Sequence, residues 1–174
     1  MTPLLDVQNL SIGFGSSDPV VSNVNFRVMP GETLALVGES GSGKTLTCRS
    51  LLRILPDAAQ LRSGAINFAS GKKPINLLDL SERDMRAIRG DQISMIFQEP
   101  MRSLSPLHRL GDQVAEVLRL HRNMRPAQAK ATVLETFERV GFPDPARVWR
   151  AYPFEMSGGM RQRAMIAMAM VAKP

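Results

Sequence analysis

A glycine-rich segment in the first third of the chain constrains the fold more than any other feature. It follows a short apolar run, residues 33–37, and precedes a helical pattern at 44–55. The segment, called here the phosphate loop, reads Gly38-Glu39-Ser40-Gly41-Ser42-Gly43-Lys44-Thr45. Glycines let successive N–H groups point at one anion, and the helix N-terminus adds positive potential. A strand, this loop and a helix in that order predict an α/β core that binds phosphate groups.

The last two residues of the phosphate loop indicate which ligand it takes. The Lys44 ammonium is expected to reach the β- and γ-phosphates of a nucleotide, and the Thr45 hydroxyl is expected to bind magnesium. The sequence therefore predicts binding of ATP with Mg²⁺. The alternative is a glycine-rich turn that binds nothing.

A second glycine-containing segment lies near the C-terminus. Ser157-Gly158-Gly159 and Met160 precede an apolar stretch that runs to about residue 173. A serine followed by a helix is typical of an N-cap, with free N–H groups in the first turn. The segment, called here the signature segment (residues 157–160), is interpreted as a second anion-binding helix start, or only as a capped helix.

Two single residues extend the predicted site. Gln98 follows the apolar run 93–97, and ligands of open α/β sheets lie beyond the carboxyl ends of the strands. Its amide could hold Mg²⁺ or a water bound to it, or it could be a surface glutamine. Phe14 lies between two glycines and could stack on an adenine ring, or it could be a core aromatic residue.

Hydrophobic patterning predicts the remaining elements. Strands are expected at 4–10, 24–28, 33–37, 64–68 and 93–97, and helices at 44–55, 81–90, 111–121, 126–140 and 160–173. This order predicts a strand-rich core at 1–105, a helical subdomain at 106–152 and a return to the core at 153–174.

Charge and cysteine content bound the function class. The net charge of +6 suits anionic partners without choosing among them, and a lone cysteine fits a reducing compartment. The N-terminus has no basic segment typical of a secretory signal, and the longest uncharged apolar run, 164–172, is about half of what spans a bilayer. A cytosolic location is expected by default.

Taken together, these residues resemble the nucleotide-binding subunit of an ABC transporter. The phosphate loop matches the family's Walker A motif, Gln98 its Q-loop, and the signature segment its signature motif. Phe14 falls where the family places its adenine-stacking aromatic residue. The resemblance implies a P-loop NTPase fold of the ABC type, with a β-rich N-terminal part and a helical subdomain, and implies ATP and Mg²⁺ as cofactors, with Thr45 and Gln98 at the metal.

A narrower resemblance is to the oligopeptide and dipeptide importer branch, which also includes nickel and glutathione importers. It rests on the phosphate loop, residues 85–90, residues 95–101, and Tyr152-Pro153 with the signature segment. Methionine at position 160 is the usual choice in that branch. Arg102, Ser105 and Met156 depart mildly from the family pattern.

The resemblance implies partners and a location. They are a second ATP-binding subunit in a homo- or heterodimer, two membrane permease subunits and a periplasmic solute-binding protein, with no nucleic acid. Such a chain is peripheral, on the cytoplasmic face of the bacterial inner membrane. The groove beside Gln98 would receive a short cytoplasmic helix of a permease.

The sequence stops at Pro174, where the family begins a strand that carries the Walker B aspartate and the catalytic glutamate. We therefore expect a truncated ABC domain that lacks the C-terminal part of its core and the catalytic residues, and that does not turn over ATP alone. The alternative is a non-functional remnant. A soluble ABC protein of repair or translation is disfavoured because the interval 98–157 lacks sustained heptads, and a kinase or GTPase would leave Gln98 and the signature segment unexplained.

Overall fold

The computed structural model describes residues 2–69, 71, 73–98 and 103–174. The chain divides into two compact units, Met1–Met85 and Arg86–Pro174. The phosphate loop and Phe14 belong to the first unit, whereas Gln98 and the signature segment belong to the second. The predicted division at 105 and 152 stays a prediction.

The first unit contains a four-stranded antiparallel sheet. Its strands are β1 (Leu5–Phe14), β2 (Val21–Val28), β3 (Ala59–Phe68) and β4 (Ile75–Asn76), in the order β2-β1-β3-β4. Helix α1 (Lys44–Leu51) lies between β2 and β3 in the sequence. Apolar side chains of the two central strands form the core of this sheet, with Val7, Leu10, Ile12 and Ile66 all at most 1% exposed.

Two bulges interrupt the pairing of β1 with β3. Gln8 pairs with Ala65 and Ser11 with Ser63, so β1 has one residue more than β3 in this interval, and Asn9 there has a φ of +50°. The second bulge is on β3, at Arg62. Because the first bulge adds a residue to β1, Val7 and Leu10 are both buried although they lie three residues apart.

The second unit is helical. Helix α2 (Glu82–Ile88) spans the boundary between the units, and α3 (Leu110–Arg122), α4 (Pro126–Arg139), α5 (Pro145–Arg150) and α6 (Gly158–Met170) follow, with a short 3₁₀ turn at Pro153–Glu155. The core is apolar and includes Val114, Val133, Phe137 and Ala164, none of them exposed. None of the helices in the described part of the chain is long and apolar enough to cross a membrane.

Two predicted strands do not form. Residues 33–37 are neither helix nor strand and are exposed, with Val37 92% and Leu34 40% accessible. In the run 93–97, only Ile93 makes a bridge, to Arg89, and Ile96 is 50% exposed. A buried parallel strand needs a neighbour on each side for its backbone hydrogen bonds. Within the described residues no strand lies beside either run, so the prediction of two buried strands is wrong for this structure.

Other predicted elements form with shifted ends. Helix α1 ends at Leu51 rather than near residue 55, because Arg53 adopts a φ of +52° and its N–H donates to the Ser50 carbonyl at 3.0 Å. The strand predicted at 4–10 extends to Phe14, and the one predicted at 64–68 begins already at Ala59. Both strands are longer than predicted because they pair with each other along almost their whole length, which stabilises their ends.

Candidate functional site

The phosphate loop turns through two glycines into helix α1. Gly41 and Gly43 have φ values of +85° and +88°, which residues with a Cβ atom rarely adopt. The Ser42 N–H donates to the Glu39 carbonyl at 3.3 Å, and the Thr47 N–H to the Gly43 carbonyl at 2.8 Å. The first bond closes the turn and the second starts α1. The loop therefore has a defined shape that ends at the positive terminus of a helix.

Lys44 lies across the loop that precedes it. Its ammonium donates to the carbonyl of Gly38 at 2.8 Å, to that of Glu39 at 2.6 Å and to the Ser42 hydroxyl at 3.2 Å. The positive charge of Lys44, the first residue of α1, is thus held against the backbone of the loop that precedes the helix. The three acceptors are exposed, so an anion can compete for the ammonium. This is the geometry a phosphate-binding lysine needs.

The two threonines of α1 have different environments. Thr45 is exposed at the first turn, whereas Thr47 is buried and its hydroxyl donates to the Gly43 carbonyl at 3.0 Å. The Thr45 oxygen is therefore the one available to a cation. In the described ranges no three His, Cys, Asp or Glu side chains cluster so as to hold a metal. A hydroxyl suits Mg²⁺, which keeps several waters and takes its remaining ligands from one or two protein oxygens and from phosphates.

A short turn leads from Phe14 to two residues that contact the phosphate loop. It is half-buried at the end of β1, and the residues that follow, 15–19, lead into Val20 and Val21. We call residues 14–19 the Phe14 turn. Gly43 packs against the two residues that follow this turn, since a Cβ on Gly43 would lie 2.6 Å from Cγ2 of Val21 and 3.4 Å from the Val20 carbonyl oxygen. The first unit therefore brings Phe14 and the phosphate loop into one connected structure.

Gln98 lies in the second unit and is exposed. The residues after it in the predicted Q-loop, Glu99, Pro100 and Met101, lie outside the described residues, as does the departure at Arg102. Its role at the metal stays a prediction.

The signature segment forms the N-terminus of α6, as predicted. Ser157 is the N-cap, and its hydroxyl accepts a hydrogen bond from the Met160 N–H at 3.3 Å. Ser157, Gly158 and Gly159 are exposed, and a Cβ added at either glycine would meet nothing within 4 Å. The fold of this unit does not itself require glycine there. Glycine is less favourable than alanine in a helix, so the stability of α6 gives no reason for two glycines there.

Other side chains that organise these segments gave no signal in the sequence. The Arg161 guanidinium donates to the carbonyls of Pro153 and Met156 at 2.8 and 2.9 Å, so it anchors the segment that precedes the signature. Gln113 is only 9% exposed and shapes the loop before α3. Its amide accepts from the Ser105 N–H at 2.8 Å and donates to the Ser105 and His108 carbonyls at 3.0 and 2.8 Å. Hydrophobic periodicity does not reveal such polar contacts.

Comparison with known proteins shows to which family a chain with these features belongs. The family model described as "ABC transporter" matches residues 21–174. The chain is 49% identical to the peptidoglycan transport ATP-binding protein YejF of Agrobacterium fabrum, over 99% of this chain and 32% of that protein. It is 49% identical to the probable peptide ABC transporter ATP-binding protein y4tR of Sinorhizobium fredii, over 98% of this chain and 51% of the relative.

The dipeptide transport ATP-binding protein DppD of Bacillus subtilis is 44% identical, over 100% of this chain and 52% of that protein. The chain thus spans about a third to a half of the length of these curated relatives.

Solved structures agree on the fold. The dimeric bacterial ABC transporter cassette MJ0796 superposes with a TM-score of 0.82 at 23% identity, over 98% of this chain and 70% of that one. A cassette described as cbiO1 from Clostridium perfringens superposes with a TM-score of 0.75 at 22% identity, over 100% of this chain and 63% of that one. The α/β P-loop NTPase fold of the ABC type is thereby confirmed. With the family model covering most of the sequence, this chain belongs to the ABC transporter family.

Proposed function

We propose that residues 38–45 bind ATP with Mg²⁺. The observation that carries the proposal is the position of Lys44, whose ammonium donates to the carbonyls of Gly38 and Glu39 within the loop. A triphosphate there would exchange those carbonyls for phosphate oxygens, which are stronger acceptors for an ammonium. The exposed Thr45 hydroxyl would bind the Mg²⁺ that neutralises the phosphates.

Calorimetric titration of the 174-residue chain with MgATP tests this. Replacing Lys44→Ala should weaken binding by at least about tenfold, since a charge-assisted hydrogen bond contributes about 1.5–3 kcal/mol. Arg49→Ala is the matched control, because it removes one positive charge from the same helix but lies in its last turn. Equal losses for both variants would mean that net charge, rather than the loop geometry, holds the nucleotide.

The signature segment would cover the γ-phosphate of an ATP held by a second ATP-binding subunit, in a homo- or heterodimer. Its support is that Gly158 and Gly159 are exposed and have open space around them. The solved relative MJ0796 is described as dimeric. In such a head-to-tail pair each nucleotide would lie between one phosphate loop and one signature segment.

Mixing two defective variants tests a head-to-tail arrangement. Lys44→Ala lacks a working phosphate loop, and Gly159→Glu places a carboxylate where the signature would meet a γ-phosphate. In the mixed dimer, one of the two composite sites combines the intact phosphate loop of one variant with the intact signature segment of the other. Sedimentation should therefore show ATP-dependent dimers in the mixture, at a level below that of the unaltered chain, and none for either variant alone. Dimers formed by Gly159→Glu alone as readily as by the unaltered chain would contradict the arrangement.

For the whole protein we propose an ATP-binding subunit of an ABC import system for peptides, working as a transport ATPase. Relatives at 44–49% identity are named for peptide, dipeptide and peptidoglycan transport, and Met160 agrees with that branch. Its partners would be two permease subunits and a periplasmic solute-binding protein, and it would be held peripherally on the cytoplasmic face of the inner membrane. A nickel- or glutathione-type importer is the second candidate, since the same motifs occur in that branch.

Uptake by a strain deleted for the gene discriminates these solutes. Loss of di- and tripeptide uptake with normal uptake of free amino acids, nickel and glutathione supports the peptide proposal. Selective loss of nickel or glutathione uptake would replace it by the second candidate.

The 174-residue polypeptide itself is proposed to bind ATP without turning it over. No carboxylate of its sequence matches the family's general base, which would activate the attacking water. Phosphate release above background that disappears in Lys44→Ala would contradict this. A chain that fails to bind MgATP at all would instead support the non-functional remnant.

A further inference from the structure

Arg62 in β3 is a bulge residue whose side chain has no role in the function proposed above. Its neighbours Leu61 and Ser63 pair with consecutive residues of β1, Ile12 and Ser11. Arg62 is therefore the extra residue of the bulge. A bulge interrupts the alternation of side chains and turns one of them in a new direction. Here the redirected side chain lies along the end of β1.

The guanidinium of Arg62 holds the Phe14 turn. Its Nη2 donates to the Gly15 carbonyl at 3.0 Å and also to the Ser17 carbonyl. The group lies directly over Gly13, where a Cβ would come within 2.6 Å of the guanidinium carbon. The turn is closed by the Ser17 N–H, which donates to the Phe14 carbonyl at 3.2 Å. One side chain thus fixes both the strand end before Phe14 and the turn after it.

The same turn determines how Phe14 is placed relative to the phosphate loop. It passes into Val20 and Val21, which contact Gly43. Phe14 and Lys44 are therefore connected through a turn whose carbonyls have Arg62 as their side-chain donor. The hydrogen bonds of Lys44 go to Gly38, Glu39 and Ser42 and involve no atom of the Phe14 turn.

We propose that Arg62 is a positioning residue for adenine: its guanidinium holds the Phe14 turn so that Phe14 stacks on the base of a nucleotide whose phosphates lie in the phosphate loop. The inference rests on the proposed ATP binding at residues 38–45. It assigns Arg62 no contact with the phosphates. It also gives Gly13 a role, since any side chain there would displace the guanidinium.

Separate titrations with MgATP and with magnesium tripolyphosphate test the proposal, because tripolyphosphate has the phosphates without the base. For Arg62→Ala we expect about five- to tenfold weaker ATP binding and unchanged tripolyphosphate binding. The expected loss of ATP affinity corresponds to part of the binding free energy of one base stacked on an aromatic ring. Gly13→Ala keeps the charge but displaces the guanidinium, so it should show the same pattern. Arg27→Ala is the matched control, because it removes an exposed positive charge from the same sheet. Arg27 is paired with Asp6, and Asp6 lies about 26 Å along β1 from Phe14.

A double substitution separates positioning from general stability. If Arg62 acts through Phe14, then Arg62→Ala should have no further effect on ATP affinity in a Phe14→Ala chain. Additive losses, or a loss of tripolyphosphate affinity in Arg62→Ala, would overturn the proposal, as would ATP affinity equal to that of the unaltered chain. An unaltered chain that binds tripolyphosphate but gains nothing from the base also overturns it, with phosphate binding at the loop intact. A chain that binds neither ligand removes the proposed function and this inference together.

Discussion

A glycine in α3 provides a sharp test of the packing in the second unit. Gly111 is the second residue of α3, and a Cβ there would lie 2.3 Å from Cδ2 and 2.4 Å from Cε3 of Trp149 in α5. Carbon atoms pack best at about 3.5–4.0 Å, so Gly111→Ala forces the indole ring to move by more than about 1 Å. The ring is also 5.5 Å from the Lys130 ammonium, a contact that the movement would disturb.

The expected magnitude is the difference of two effects. Alanine gains up to about 1 kcal/mol over glycine in a helix, whereas overpacking of this kind costs about 1–3 kcal/mol. Gly111→Ala should therefore lower the free energy of unfolding by about 1–2 kcal/mol. Gly159→Ala is a matched control, because Gly159 is likewise the second residue of its helix and has open space around it. That variant should be slightly more stable than the unaltered chain.

Urea unfolding followed by fluorescence measures both variants, since Trp149 is the single tryptophan of the chain and reports on the second unit. With a slope of about 2 kcal/mol per M, Gly111→Ala should lower the midpoint by about 0.5–1 M. Circular dichroism can follow the same change in a Trp149→Leu background, where the penalty should disappear. A midpoint for Gly111→Ala that rises as it does for Gly159→Ala would refute the packing argument.

Three further predictions concern single side chains. Burial raises the pKa of the Cys48 thiol above its ordinary value, so iodoacetamide at about pH 7.5 should alkylate it more slowly than a cysteine in an unfolded peptide. Burial opposes ionisation of Asp6, but the hydrogen bonds from Gln8 and Arg27 and the charge of Arg27 outweigh it and hold the pKa of Asp6 below its ordinary value. This stabilisation is complete above about pH 4, near the pKa of an unfolded aspartate, and is lost as the pH falls through the lowered pKa. Asp6→Asn should therefore flatten the acid side of a stability profile. Gln113→Leu should cost about 1–2 kcal/mol in urea unfolding, because it removes three hydrogen bonds to the backbone before α3 and leaves the half-buried Ser105 N–H without the side-chain acceptor it has in this structure.

Local patterns predicted the parts of the molecule that depend on local structure. Capping chemistry alone predicted the Ser157 N-cap, and glycine spacing alone predicted a tight loop before α1. Helices α3 and α4 begin and end within one residue of the predicted 111–121 and 126–140, because each has a strong apolar face. Such elements need only their own sequence and one surface to pack on.

Features that depend on distant strands could not be predicted in this way. The run 33–37 has the composition of a buried strand, but burial needs neighbouring strands, and Val37 is largely exposed. The bulge at Arg62 follows from the pairing of β3 with β1, which no local pattern specifies. The hydrogen bonds from Arg62 to the Phe14 turn could therefore not be predicted from the sequence, in which nothing distinguishes Arg62 from an ordinary surface arginine.

The strand order β2-β1-β3-β4 also has a kinetic consequence. The β1–β2 pair needs only a short turn, whereas pairing β1 with β3 closes a loop from Phe14 to Ala59 that contains the whole phosphate loop. Closing the longer loop has the larger entropic cost and is expected to be the slower event. The phosphate loop would then be organised only after the rate-limiting step of folding. A bound nucleotide should accordingly slow unfolding of this unit and leave its folding rate almost unchanged.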